Sequence, residues 1–192
     1  MSIRNGVVLI VALELVSAAL AISHFGYTVE GLQAVTRYSG RLSLIVFSLL
    51  FILLPAHESR LSAILSPRYF LVFALGHGIH LLQLLTFVYL SGNELIPIRL
   101  AGGFLAYVLI FAMPWVQQYY KAGKLNHQKF YWIQSIYLYY VWFIFFMSYL
   151  PRVQAKLPNV GGKYWEFVVL LCWVCMLLGM KLASLLFNSK RH

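Results

Sequence analysis

The sequence predicts an all-α integral membrane protein, a bundle of about six transmembrane helices. Of its 192 residues, 61% are hydrophobic and 10% are charged, whereas a soluble domain is about half apolar and roughly a quarter charged. The apolar residues also form six continuous runs. Each run is close to the roughly 17–25 residues that a helix needs to cross the hydrocarbon core. Together these observations exclude an ordinary water-soluble fold.

The six runs follow one another with short polar segments between them. Because they are continuous and do not alternate with a period of two, they favour helices over the strands of a membrane barrel. No intervening stretch is long enough for a soluble domain, so residues 1-192 are predicted to form a single polytopic membrane domain. The predicted spans are about 6-23, 38-54, 69-90, 98-116, 130-150 and 164-187.

The first run also has features of a signal peptide. Arg4 precedes it, and Ala19-Leu20-Ala21 has the small-x-small pattern of a cleavage site. Glu14 argues against that interpretation, because a carboxylate in the centre of the apolar segment opposes its insertion. We therefore interpret the run as the first helix.

The other spans are bounded by residues that interrupt apolar helices. The second span ends before Pro55, and the third begins after Ser66-Pro67. Ser91-Gly92-Asn93 precedes the fourth. The basic segment 121–129 separates the fourth span from the fifth, and the segment 151–163 separates the fifth from the sixth.

Basic residues predict the orientation of the bundle in the membrane. Nine of the fifteen lysines and arginines fall on the side of the N-terminus and six on the opposite side, so both termini are expected in the cytoplasm. The net charge of +10 suits attraction to anionic lipid headgroups of the bilayer. No basic patch stands clear of the spans, so no nucleic-acid partner is predicted.

Acidic residues are scarce, which limits the chemistry that the chain can perform. The five acids are all glutamates, and aspartate does not occur. Paired catalytic carboxylates, an Asp-based phosphoryl-transfer site and an acidic calcium loop are therefore nearly excluded.

Ionisable side chains inside the spans are candidate functional residues, because charge is costly to bury in hydrocarbon. Glu14 lies near the middle of the first span and Arg41 about one turn inside the second. His77 and His80 lie in the third. Lys181, in the last, is expected to extend its ammonium group to the interface.

His77 and His80 are the leading candidates. They are three residues apart and share one helix face, and Gly76 and Gly78 leave room beside His77 for a large planar ligand. Neutral imidazole binds haem iron, so haem ligation is one interpretation, although two residues on the same face cannot supply both axial ligands. A non-haem metal, or hydrogen bonds across the bundle to a group such as Glu14, are the alternatives.

The fifth span is rich in aromatic residues. Gln134, Tyr137 and Tyr140 share a face at helical spacing. They could hydrogen-bond inward to a quinone headgroup, a porphyrin propionate or His80. The alternative is aromatic packing against lipid or a partner subunit.

Three stretches resemble the ferric reductase-like transmembrane domain superfamily, which includes the haem-binding membrane subunit of bacterial methionine sulfoxide reductase. Thr36-Arg-Tyr-Ser-Gly-Arg-Leu-Ser-Leu is similar to the family's Arg-x-Thr-Gly start of a span. Pro67-Arg-Tyr-Phe-Leu-Val-Phe-Ala-Leu-Gly-His-Gly-Ile-His resembles its arginine-led span, which carries a haem-ligating histidine about thirteen residues on. Phe130-Tyr-Trp-Ile-Gln-Ser-Ile-Tyr-Leu-Tyr-Tyr-Val-Trp resembles the Trp-x-x-Leu-His-x-x-x-Tyr-Leu opening of the next ligand helix.

This resemblance implies a b-type haem, with His80 the better match to the family ligand and His77 the second. The chain departs from the family at Ile133, which stands where the opposing histidine is expected, and the fifth span contains no histidine. A bound iron would then be five-coordinate, take an unusual sixth ligand or receive one from a partner chain. No flavin or NAD domain is expected.

Three functions are consistent with these features. The first is a membrane electron-transfer protein that binds haem through His80 or His77 and exchanges electrons with a quinone, near Glu14 or Arg41, or with a partner protein. The second is a cofactor-free structural or assembly subunit of a larger membrane complex. The third is a small transporter with a polar pathway. The resemblance implies a bacterial-type inner membrane, and whether the chain is an enzyme stays open.

Overall fold

The computed structural model describes residues 2–54, 68–92, 97–157 and 161–189, without the side chains of 97–101 and 185–189. Over these ranges it is all-helical, which confirms the predicted fold class. The predicted loop 55–67, with His57 and Arg60, and the C-terminal residues 190–192 lie outside the described residues. The helices are α1 (Ile3–Phe25), α2 (Val29–Leu53), α3 (Tyr69–Ser91), α4 (Pro97–Lys121), α5 (His127–Val153) and α6 (Tyr164–Ser189).

Five of the helices are long and apolar enough to cross a membrane, namely α1, α2, α3, α5 and the part of α6 from Tyr164 to Ser184. The described part of α4 is not among them, although α4 has 25 residues. Its last turns carry Gln117, Gln118 and Lys121, which lower its mean hydropathy. The chain is therefore a helical membrane protein, and its apolar outer faces contact lipid.

The second helix begins well before the predicted span. α1 ends at Phe25 and is followed by Gly26, which has a left-handed φ of 72°. Thr28 caps α2 by accepting a hydrogen bond from the Gly31 amide at 3.0 Å. Since α2 starts at Val29, Arg41 lies about three turns inside it rather than one. The helix therefore extends beyond the predicted span of 38-54 at its N-terminal end and includes Arg37.

α2 is the central element of the bundle. It packs against α1, α3, α5 and α6, and α4 lies against α3 and α5. α1 packs against α2 and α3. Consequently α2, α3, α4 and α5 surround one common space, whereas α1 is bound along the outside of α2 and α3.

Toward the face where α1 begins, the bundle is filled by large side chains, and we call this region the packed half. The Phe47 ring lies 5.3–5.8 Å from the rings of Phe51, Phe73 and Phe145. Other fully buried side chains of the packed half are Leu50, Phe70, Tyr137 and Leu138.

Hydrogen bonds between helices supplement this packing. The Trp142 indole donates to the Val174 carbonyl at 2.9 Å, and the Trp173 indole donates to the Ser48 hydroxyl at 2.9 Å. Lys181 is 6% exposed and donates to the Leu54 carbonyl at the end of α2. The ammonium group of Lys181 therefore has a carbonyl at the end of α2 as its partner, and the expectation that it reaches the interface stays a prediction.

Candidate functional site

A cavity of about 260 Å³ lies between α2, α3, α4 and α5. One water molecule needs roughly 10–15 Å³ on the same measure, so the cavity has room for a small organic molecule. Gly40, Gly103 and Ala106, with small or no side chains, contribute little bulk to its walls. We call it the histidine cavity because His77 and His80 both line it.

The two histidines form one wall of the cavity, as their spacing predicts. Their ring centroids are 5.3 Å apart. The His77 ring stacks between Phe73 of its own helix, at 5.4 Å, and Tyr107 of α4, at 4.9 Å. In both histidines the Nδ1 atom is buried and has no hydrogen-bond partner. A buried nitrogen without a partner is costly, so these atoms can gain from a bound donor or a metal ion.

His80 rests on a glycine of the neighbouring helix. A Cβ atom on Gly40 would lie 3.1 Å from His80 Cε1, so the absence of a side chain lets the imidazole approach the α2 backbone. The Thr36 backbone is a hydrogen-bonding neighbour of the same ring. Sequence reasoning did not single out Gly40, although it belongs to the segment 36–44 that carries the family resemblance.

Gly76 and Gly78 serve helix packing in this structure. A Cβ atom on Gly76 would meet Ile10 of α1 at 2.8 Å, and one on Gly78 would meet Phe111 of α4 at 3.4 Å. Neither glycine is among the residues that line the cavity. Their position therefore differs from the predicted role of leaving room for a ligand beside His77.

Three arginines, Arg37, Arg41 and Arg152, line the end of the cavity toward the face where α1 ends, and we call them the arginine rim. Arg41 forms a salt bridge with Glu166 of α6 at 2.7 Å. Arg152 donates to the Ser148 carbonyl and lies over the Phe167 ring at 5.9 Å. The rim therefore has three guanidinium groups and a single neighbouring carboxylate, that of Glu166. This excess of positive charge favours a bound molecule that carries an anionic group.

Arg37 stands between the cavity and the protein surface. A second hollow, of about 490 Å³, lies beside the turn from α1 to α2 and is lined by His24, Glu30 and Gly162 among others. Arg37 lines both hollows, and its Nε atom is buried without a partner. Sequence reasoning missed Arg37 and Arg152, because it took both as markers of membrane orientation.

The wall contributed by α5 is apolar in its middle and polar toward the arginine rim, where Ser148 and Tyr149 also line the cavity. Val141, Ile144 and Phe145 face the cavity in the apolar part. Ile133, which aligns with the family's opposing histidine, is 38% exposed and is not among the lining residues. Within the described ranges, no group of three or more His, Cys, Asp or Glu side chains is arranged to hold a metal ion.

Gln134 and Tyr137 lie in the packed half and do not line the histidine cavity. Gln134 is buried beside the Tyr69 hydroxyl. The Tyr137 ring packs edge-on against Phe70 at 5.2 Å, and the Tyr140 hydroxyl donates to the Gly102 carbonyl at 3.1 Å. Gln134 and Tyr137 do face the interior of the bundle, as predicted. They lie in the packed half, however, and not at the level of His80 along the helices.

Glu14 is also separate from the histidine cavity. Its side chain is 3% exposed and lies among α1, α2 and α3. Its polar neighbours are the side chains of Ser39 and Gln83, and we call these three residues the Glu14 cluster. The structure therefore does not bring Glu14 to either histidine.

No protein-family model matches the chain, and neither a curated protein nor a solved structure is significantly similar to it. The resemblance to the ferric reductase-like superfamily accordingly stays a prediction. The function has to be argued from the geometry of the cavity.

Proposed function

We propose that the chain is a membrane electron-transfer protein that binds a b-type haem in the histidine cavity. One observation carries the proposal. The same cavity is lined by two imidazoles, each with an unpartnered nitrogen, and by the three arginines of the rim. Imidazole nitrogen is a common ligand of haem iron. Guanidinium groups are the usual partners of carboxylates, and a haem carries two of them.

His80 is the residue that we propose as the iron ligand. Metal-binding imidazoles generally donate their other ring N–H to a carbonyl or carboxylate, which fixes the ring and raises its basicity. The Thr36 backbone provides such a neighbour, and Gly40 allows the ring to reach it. His77, held by stacking between Phe73 and Tyr107, would contact the edge of the bound molecule.

The arginine rim would hold the carboxylates of the haem. Arg41 is already paired with Glu166, whereas the buried Nε atom of Arg37 has no partner. Arg37 and Arg152 are therefore the better candidates to bind the carboxylates. By the distribution of basic residues, this rim would lie on the non-cytoplasmic face.

The proposed haem would take a single ligand from the described helices. No histidine occurs in α5 after His127, and α5 presents Val141, Ile144 and Phe145 to the cavity. A b-type haem supplies one-electron transfer, and the surrounding residues set its potential through ligation, hydrogen bonding and burial. The redox partner would be a quinone or another protein of the membrane.

A cofactor-free structural subunit is the second candidate function. The observation that favours it is the packing of His77, whose ring is stacked on both faces by aromatic side chains as a buried core residue would be. In that case the apolar outer faces would contact partner subunits as well as lipid.

Absorption spectroscopy distinguishes the two candidates. The protein is purified in detergent from haem-replete cells, and its visible spectrum is recorded after oxidation and again after reduction with dithionite. We expect one equivalent of haem per chain, with a Soret band that shifts on reduction. A folded, colourless preparation would exclude the haem proposal and favour the structural subunit.

Substitutions of histidine test which residue binds the iron. His80→Ala should remove the Soret band, while His77→Ala should retain haem with a shifted band. His127→Ala is the matched control, because His127 lies at the start of α5 and hydrogen-bonds to Tyr120, far from the cavity. Retention of haem in His80→Ala together with its loss in His77→Ala would overturn the assignment.

A further inference from the structure

The Glu14 cluster contains four buried oxygen atoms without a hydrogen-bond partner. Both carboxyl oxygens of Glu14, the Ser39 hydroxyl oxygen and the Gln83 amide oxygen are buried, and none has a hydrogen-bond partner. The cluster lies about halfway along α1, in the middle of a candidate membrane span. An ionised carboxylate there would be a buried charge without a cation, which is strongly unfavourable.

The charges of the neighbouring helices do not compensate for Glu14. Arg41 of α2 is paired with Glu166, and Arg37 lines the histidine cavity. On α3, His77 and His80 line the same cavity. The charged and titratable side chains of the two facing helices are Glu30, Arg37, Tyr38 and Arg41 of α2 and Tyr69, His77, His80 and Tyr89 of α3.

One proton on Glu14 would satisfy the cluster. A protonated carboxyl can donate its O–H to the Gln83 amide oxygen, and its carbonyl oxygen can accept the proton of the Ser39 hydroxyl. This arrangement gives partners to all four unpartnered oxygens and removes the buried charge.

We propose that Glu14, Ser39 and Gln83 form a proton-binding site in the middle of the membrane, with Glu14 as a neutral, hydrogen-bonded acid at neutral pH. The site is linked to the histidine cavity through Thr36. The Thr36 hydroxyl donates to the Gln83 carbonyl at 3.3 Å, and the Thr36 backbone neighbours His80. The inference does not depend on haem, since the cluster is complete without a cofactor.

Infrared spectroscopy tests the protonation of Glu14 directly. Protein in lipid nanodiscs at neutral pH should show the carbonyl stretch of a protonated carboxylic acid, shifted down in D₂O. Glu14→Gln should remove this band. Glu166→Gln is the matched control, because Glu166 is paired with Arg41; it should remove a carboxylate band and leave the acid band in place.

Ser39→Ala tests the hydrogen bond to the carboxyl. Loss of the hydroxyl donor should move the acid carbonyl band to higher frequency without removing it. If wild-type protein lacks an acid band and Glu14→Gln removes a carboxylate band instead, Glu14 is ionised and the proposal is wrong. An acid band unaffected by Ser39→Ala would exclude the proposed contact.

Unfolding at different pH gives a second measurement if the infrared bands overlap. The unfolded chain releases the Glu14 proton above about pH 4.3, while the folded chain keeps it. The stability of the wild type should therefore fall as the pH rises from about 4 to neutral. Glu14→Gln carries no ionisable group at this position and should lack that component of the fall. Identical pH profiles of the two proteins would contradict the proposal.

Discussion

The packed half and the histidine cavity are built from the same helices, yet one is filled and the other is open. In the packed half, α2, α3 and α5 contribute Phe47, Phe73 and Tyr137, which are almost completely buried. In the cavity half, α2 contributes Gly40 and α4 contributes Gly103. The space between the helices therefore depends on side-chain size at these positions rather than on a different arrangement of helices.

α3 shows where the change occurs. Phe70, Phe73, His77 and His80 follow one another at intervals of three or four residues, so they form one stripe along the helix. The stripe changes from phenyl to imidazole in the middle of the membrane. An apolar stripe would serve packing alone, whereas the imidazoles of His77 and His80 bring polar atoms to the cavity.

The largest expected effect is on the stability of the packed half. Phe47→Ala should lower the free energy of unfolding by about 3–5 kcal/mol, because it removes a ring that contacts three others and leaves a void. Ile144→Ala, at the wall of the cavity, should cost less, roughly 2 kcal/mol or below. Reversible unfolding in mixed micelles measures both. Equal losses would show that the two halves do not differ in packing.

An intermediate effect is expected from filling the cavity. A Cβ atom on Gly103 would meet nothing within 4 Å, so Gly103→Leu can place its side chain in the open space. Haem affinity should fall by at least about tenfold, or roughly 1.4 kcal/mol, while the unfolding free energy changes little. Haem titration monitored at the Soret band gives the affinity.

Gly179→Leu is the control for this substitution. Gly179 also has nothing within 4 Å of an added Cβ atom, but it lies on α6 and is not among the cavity-lining residues. It should leave haem affinity unchanged. Equal effects of the two variants would mean that the cavity is not the binding site.

The smallest effect is expected at the arginine rim. Both side chains of the Arg41–Glu166 pair are about a quarter exposed, at 25% and 23%. Partly exposed pairs generally contribute about 0.2–1 kcal/mol. A double-mutant cycle with Arg41→Gln and Glu166→Gln should give a coupling energy in this range. A coupling energy well above this range would indicate that the Arg41–Glu166 pair is more strongly desolvated than its exposed fraction suggests.

The sequence was sufficient to predict the six helices and the shared face of His77 and His80, because both follow from local periodicity. It could not predict contacts between distant segments. Arg41 pairs with Glu166, which is 125 residues away, and Lys181 bonds to Leu54, 127 residues away. Gly40 was overlooked for the same reason, since its role appears only when His80 of another helix packs against it.

Electron paramagnetic resonance of the oxidised protein tests the central claim most directly. A haem that takes one imidazole from α3 and none from α5 should give a high-spin ferric signal, in one equivalent per chain, that disappears in His80→Ala. A low-spin signal typical of two imidazole ligands would contradict the apolar α5 wall. The absence of any haem signal from folded protein would contradict the binding of haem itself.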